Sequence, residues 1–139
     1  MLFVAMTACA AVAMADNDTP VQVAQLPATA QNFIQKYFND VQVLYAKQEN
    51  DIVKSYEVVF VNGSKLEFDA RGDWTEVDCK HGVVPDGIVP RQLRNYVDKN
   101  HPGQRIVAVS RDARGYEVDL NNGLELKFNR NYRLIDMDD

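Results

Sequence analysis

Two stretches of the chain share one alternation of apolar and polar positions. Residues 56–68 read Tyr-Glu-Val-Val-Phe-Val-Asn-Gly-Ser-Lys-Leu-Glu-Phe, and residues 116–128 read Tyr-Glu-Val-Asp-Leu-Asn-Asn-Gly-Leu-Glu-Leu-Lys-Phe. A period of two predicts strands with one buried face, broken by a turn at Asn-Gly. Shifting the chain by 60 brings the two stretches into coincidence, and Asp78 onto Asp138. Upstream the offset becomes 63, with Pro27 on Pro90, Phe33 on Tyr96 and Val43 on Ile106. One gap of three residues between positions 44 and 55 reconciles the two offsets. The pattern predicts a tandem pair of units, residues 26–79 and 80–139.

Each unit opens with a helical stripe. Ala30, Phe33, Ile34, Tyr37 and Phe38 fall on one face at helical spacing, and Val89, Leu93, Tyr96 and Val97 do the same in the second unit. His101-Pro102-Gly103 stops the second helix. Four strands follow in each unit, at about 42–48, 53–61, 64–69 and 74–78, then about 105–111, 115–121, 124–129 and 133–138. The fold class expected is α+β: two helix-plus-four-strand antiparallel units forming one continuous sheet, helices on one face and the other face open.

The Asn-Gly turns decide the register. A two-residue loop would pair Val59 with Leu66 and Asp119 with Leu126, and would mix carboxylates into the apolar face. A three-residue loop, 61–63 or 121–123, pairs Val58 with Leu66, Tyr56 with Phe68, Val118 with Leu126 and Tyr116 with Phe128. All apolar residues then face one way, with Gly63 and Gly123 left-handed in a bulge. Trp74 stays open between two readings. A three-residue loop at 70–72 buries it opposite Phe68, but Thr75 and Val77 also look like core positions, and a different loop places Trp74 on the open face.

The N-terminus breaks the pattern. Leu2 to Met14 is uncharged and ends in Ala13-Met14-Ala15, which predicts a secretory signal peptide cut after Ala15. The run is too short to span a bilayer. No Lys or Arg precedes it, so the expected start of translation lies a few residues upstream. Two other readings exist: a buried N-terminal helix, or a lipoprotein acylated at Cys9. Residues 16–25 are polar and read as a flexible lead-in. After cleavage Cys79 is the remaining cysteine and has no partner for a disulfide.

Behind that leader, the sequence of a helix, Tyr-Glu-Val and Asn-Gly-x-x-Leu-x-Phe, twice over, resembles the PepSY-like family of secreted bacterial proteins with a fold like the β-lactamase inhibitor protein. The resemblance implies two such units side by side in one sheet, and a sheet face that can grip another protein. Its motifs are turn glycines and core positions, and no inhibitory contact residues carry over to this chain.

Composition and charge narrow the chemistry. The formal net charge is −5, with 15 basic residues scattered among 20 acidic ones. That argues against a nucleic-acid partner, which needs clustered Lys and Arg. His101 falls on the helix stripe, and Cys79 with His81 offers two ligands where zinc wants three or four. Glu57 and Glu117 read as equivalent exposed strand positions rather than a catalytic pair. The acidic tail 136–139 lacks the spaced ligands of a calcium loop. No enzyme, cofactor or metal site is expected. The expectation is an exported module that binds an envelope or secreted protein or peptide through Val59, Val61, Lys65, Glu67, Asp119 and Lys127, with Trp74 if it is exposed. The rival is a small-ligand or metal-binding sensor or carrier.

Overall fold

The computed structural model describes residues 17–139. The apolar leader, Ala15, Cys9 and Asp16 lie outside them. Nine strands form one antiparallel sheet in the order of the chain, β1 to β9. Strand β1 is Asp18–Val21, and helix α1, Ala28–Phe38, precedes β2 (Val43–Asn50), β3 (Lys54–Phe60), β4 (Lys65–Asp69) and β5 (Trp74–Asp78). Helix α2, Arg91–Asn100, precedes β6 (Ile106–Asp112), β7 (Gly115–Leu120), β8 (Glu125–Asn129) and β9 (Leu134–Asp138). The order is therefore a helix and four strands, twice, with β1 added in front.

Both helices lie on one side of the sheet. From α1, Ala30, Ile34 and Phe38 are buried; from α2, Leu93 and Val97. Phe38 stacks on Phe60 with ring centroids 5.2 Å apart, Phe33 meets Phe68 edge-on at 5.6 Å, and Tyr96 meets Phe128 edge-on at 5.2 Å. Leu66, Phe68, Val118, Leu126 and Phe128 are almost wholly buried beneath them. Burial of this apolar layer is the main stabilising contribution, about 1.5–3 kcal/mol for each large side chain.

The three-residue loops are present. Val58 pairs with Leu66 and Tyr56 with Phe68, and Val118 pairs with Leu126 and Tyr116 with Phe128. Gly63 and Gly123 take φ of 89° and 91°. The loop chemistry matches as well. The Asn62 side chain accepts the N–H of Ser64 at 2.9 Å, and Asn122 accepts that of Leu124 at 3.1 Å. Asp69 closes the β4–β5 turn by accepting from the N–H groups of Arg71 and Asp73, and Asn129 closes the β8–β9 turn by accepting from Asn131 and Arg133.

Three expectations need correction. Residues 18–21, expected within a flexible lead-in, form a strand paired to β2, and Val23–Gln25 add a 3-10 turn. Trp74 is not on the open face. It pairs with Phe68, lies 6.5 Å from the Phe33 ring and is only 8% exposed. A bulge between Glu67 and Phe68 changes the register, so Trp74 and Val77 both face the helices despite their odd spacing. Glu57, expected to be exposed, is 9% exposed.

The β4–β5 turn shows how tightly α1 sits on the sheet. Gly72 has φ +90°, and a Cβ there would lie 2.8 Å from Cβ of Pro27 and 3.0 Å from the Ala30 nitrogen. At Gly123, with φ +91°, a Cβ would meet nothing within 4 Å. Gly123→Ala is expected to lose about 1–2 kcal/mol through backbone strain alone. Gly72→Ala adds the push against the first turn of α1 and is expected to lose roughly 3 kcal/mol or more. Urea unfolding of the two variants measures the difference, and equal losses would mean that α1 yields freely at this turn.

Candidate functional site

Alternation along each strand sends the second set of side chains to the face that carries no helix. Charge dominates there. In the first half Glu57 pairs with both Lys47 and Glu67, and Glu67 pairs with Glu76. In the second half Glu117 pairs with Lys127, Lys127 with Asp136, and Asp119 with Glu125. The seam between the halves, β5 to β6, sets Glu76 beside Ser110 and Asp78 beside Ala108. Pairs such as Glu57–Glu67, Glu67–Glu76 and Asp119–Glu125 set like charges directly opposite, which is destabilising.

The two halves handle this crowding differently. In the first, lysines stand inside the cluster. Lys47 Nζ lies 2.8 Å from Asp18 Oδ2, 3.4 Å from Glu57 and 3.9 Å from Glu49. Its side chain is 13% exposed and that of Asp18 is 5% exposed, so the ion pair is largely sheltered from solvent. The Asp18 hydrogen bond raises the Lys47 pKa above its ordinary value, against the effect of burial. This contact also fastens β1 to the sheet. Lys65 Nζ lies 3.3 Å from Glu76 and 3.8 Å from Glu67. Even so, burial and the neighbouring Glu76 push Glu67 up to about 7.

The second half has less internal compensation. Burial pushes Asp119 up to about 6, with Glu117, Glu125 and Asp78 adding repulsion. Its Oδ1 is buried and has no hydrogen-bond partner among the described residues. A groove of about 490 Å³ opens on the same face, lined by Glu67, Glu76, Ser110, Glu117 and Lys127 with Arg114 at its rim.

The expected site residues are therefore divided. Lys65, Glu67, Asp119 and Lys127 share the open face by register, and half-buried Val59 sits between Tyr45 and Lys65. Val61 is 55% exposed at the rim, where its N–H donates to the Gln42 carbonyl. Trp74 belongs to the opposite face. Sequence reasoning missed Lys47 and Glu49, whose importance comes from cross-strand proximity and carries no local motif. Among the described residues, the carboxylates of Glu49, Glu57 and Glu67 converge within 4.8 Å. Cys79 is buried with its thiol pKa raised by desolvation, which makes it a poor nucleophile.

The Asp119 environment carries a stability consequence. A carboxylate whose folded pKa lies above its unfolded value costs stability once ionised. That penalty is complete above about pH 6 and vanishes as the pH falls below the unfolded value near 4. Asp119→Asn removes the charge and keeps the shape. It is expected to raise Tm by about 2–4 °C near pH 8 and by nothing near pH 4. Melting curves at the two pH values check this, and an equal shift at both would point to a cause other than charge.

Comparison with known proteins places these features in a family. The family described as "Putative beta-lactamase-inhibitor-like, PepSY-like" matches residues 54–136. A protein from Bacteroides vulgatus, described as a "putative periplasmic protein from DUF2874 family", is 49% identical, covers 91% of this chain and 100% of its own, and superposes with a TM-score of 0.88. A protein from Bacteroides thetaiotaomicron, described as a "putative calcium-regulated periplasmic protein", shows the same identity, coverage and TM-score. A second Bacteroides vulgatus protein, described as periplasmic and of unknown function, is 35% identical over 88% of this chain and 99% of its own, with a TM-score of 0.83. A search of curated proteins finds no match. Among the described residues no helix is long and apolar enough to cross a membrane. The family match over residues 54–136 and the identity to these solved structures show that this chain belongs to the PepSY-like family.

Proposed function

We propose that the chain is a non-catalytic binding module, exported to the periplasm after cleavage of its leader, that takes a basic segment of an envelope or secreted protein on its open sheet face. The observation that carries this reading is the crowding of carboxylates directly opposite one another on that face, at Glu57–Glu67, Glu67–Glu76 and Asp119–Glu125, which adds to burial in holding Glu67 and Asp119 above their ordinary pKa values. A cationic side chain docked there relieves the repulsion and steers the encounter. Lys65 and Lys127 supply the opposite sign within the face and so restrict the pattern of charges that fits. Val59 and Val61 supply the small apolar contacts. The helix-plus-four-strand order, seen twice with matching registers and turns, supports descent of the two halves from one duplicated unit, residues 26–79 and 80–139. Enzyme inhibition is one form this binding can take, suggested by the family description alone.

A second reading has its own support. Glu49, Glu57 and Glu67 converge as ligands of a hard divalent cation do, and one relative is described as calcium-regulated. Against it, Lys47 Nζ already stands 3.4 Å from Glu57, and a cation would have to displace it.

Affinity capture of envelope proteins with the mature chain tests the first reading. Charge reversal of Glu76 and Glu117 to Lys, at the centre of the face, is expected to abolish capture of a partner held at low salt. A partner retained by the reversed protein would sink the open-face reading. Melting with and without calcium tests the second: a ligand of the native state raises Tm, and Glu57→Gln with Glu67→Gln would remove that rise.

A further inference from the structure

Strand β9 repeats β5 in its own pairing and differs from it in what lies beyond. β5 pairs with β4 through Glu76–Glu67, Val77–Leu66 and Trp74–Phe68. β9 pairs with β8 through Asp136–Lys127, Met137–Leu126 and Leu134–Phe128, with the bulge at the same place. The outer edge of β5 is taken by β6, which sets Val109 beside Val77, Ala108 beside Asp78 and Ser110 beside Glu76. Arg111 completes the cover. Its Nε donates to the Trp74 carbonyl at 2.8 Å, and its guanidinium carbon sits 3.9 Å over the Trp74 ring.

No strand among the described residues takes the corresponding edge of β9. The exposures record the difference. Val77 is 0% exposed and its counterpart Met137 is 51% exposed; Trp74 is buried and Leu134 only half-buried; Ile135 is 63% exposed. An outer strand presents N–H and C=O groups to a further strand; here Asp136 Oδ1 accepts the Met137 N–H at 2.9 Å, a contact an added strand would exchange for its own, and the edge also presents apolar side chains.

We propose that the outer edge of β9, Leu134–Asp138, is a strand-addition site for an extended segment of another polypeptide. Backbone hydrogen bonds supply the affinity and alternate side chains the choice. The segment has β6-like chemistry on the helix side: an apolar residue beside Met137, and two positions later a side chain whose aliphatic part packs on Leu134, which has no ring for the contact Arg111 makes with Trp74. On the other side it carries lysine or arginine opposite Asp136 and Asp138. A second copy of this chain does not fit. Two β9 strands laid antiparallel would bring four carboxylates together, and β2 and β6, the strands of suitable chemistry, already have neighbours on both sides. The inference does not rest on the open-face reading.

Two synthetic peptides test it on the isotope-labelled mature protein by NMR. One has the sequence of residues 104–112, and the other carries Ala108→Lys and Ser110→Lys. Both are expected to perturb the amides of β9 and β8. The lysine peptide is expected to bind roughly fivefold to tenfold more tightly, the size of two cross-strand opposite-charge pairs. Asp136→Lys with Asp138→Lys in the protein, both exposed positions, is expected to reverse the preference and leave the rest of the spectrum unchanged. Three results would overturn the proposal: no change at β9 up to millimolar peptide, perturbation confined to the open face or β1, or dimerisation of the unliganded protein through β9.

Discussion

The register of two hairpins determines what each face of this protein can be. Gly63 and Gly123 in left-handed conformations allow loops of three residues, and the Asn62 and Asn122 side chains hold them by accepting backbone N–H groups. A slip of one residue would turn Asp119 and Glu117 toward the helices, where ionised carboxylates have no compensation. With the register fixed, Leu66, Phe68, Leu126 and Phe128 go under α1 and α2. Most strand charges then go to the other side, Arg111 over the Trp74 ring and Lys54 over the Tyr56 ring being exceptions. The acidic face is thus the geometric complement of the core.

That complement comes at an electrostatic cost, and the two halves meet it unequally. Where Lys47 sits among Asp18, Glu49 and Glu57, the charges are neutralised inside the protein and the same contact secures an outer strand. Around Asp119 the neighbours are Glu117, Glu125 and Asp78, and an oxygen remains buried without a partner. Each half nevertheless keeps one carboxylate held high by burial with acidic neighbours, Glu67 in the first and Asp119 in the second, and these are the places where added positive charge is most favoured.

Much of the fold was legible because its determinants are local. The helical stripes, the period-two strands and the apolar match across Asn-Gly each lie within about a dozen residues, and the structure reproduces the strands with boundaries displaced by at most two residues and mostly by one. What escaped depends on distant contacts. Asp18–Val21 has no alternation and contains Pro20; it becomes a strand because Lys47, far along the chain, fastens Asp18. Trp74 was ambiguous because a β-bulge is not written in periodicity: Trp74 and Val77 cannot both face the core of a regular strand, yet both do here. In the candidate site the acidic identities were plain, but which carboxylates are compensated is a matter of cross-strand distances. Glu57 and Glu117 occupy equivalent positions, but Glu57 has Lys47 Nζ 3.4 Å away on one side and the carboxylate of Glu67 opposite on the other, whereas Glu117 faces Lys127 across the β7–β8 ladder.

The two outer strands show the same contrast between closed and open ends. β1 is short, contains Pro20, whose nitrogen has no hydrogen to offer, and turns Asp18 toward Lys47. These are the devices that blunt an edge against pairing. β9 has no proline; its carboxylates, with Asp136 accepting the Met137 N–H, deter an approaching strand, and its apolar side chains stand half-covered or exposed. Carboxylates repel a second acidic edge and attract a basic one. The joint between β5 and β6 shows that such an edge is completed by a strand of small and apolar residues ending in an arginine. Among the described residues, then, the outer edge of β1 is blunted against a further strand, while the outer edge of β9 carries the chemistry that a basic strand would complement.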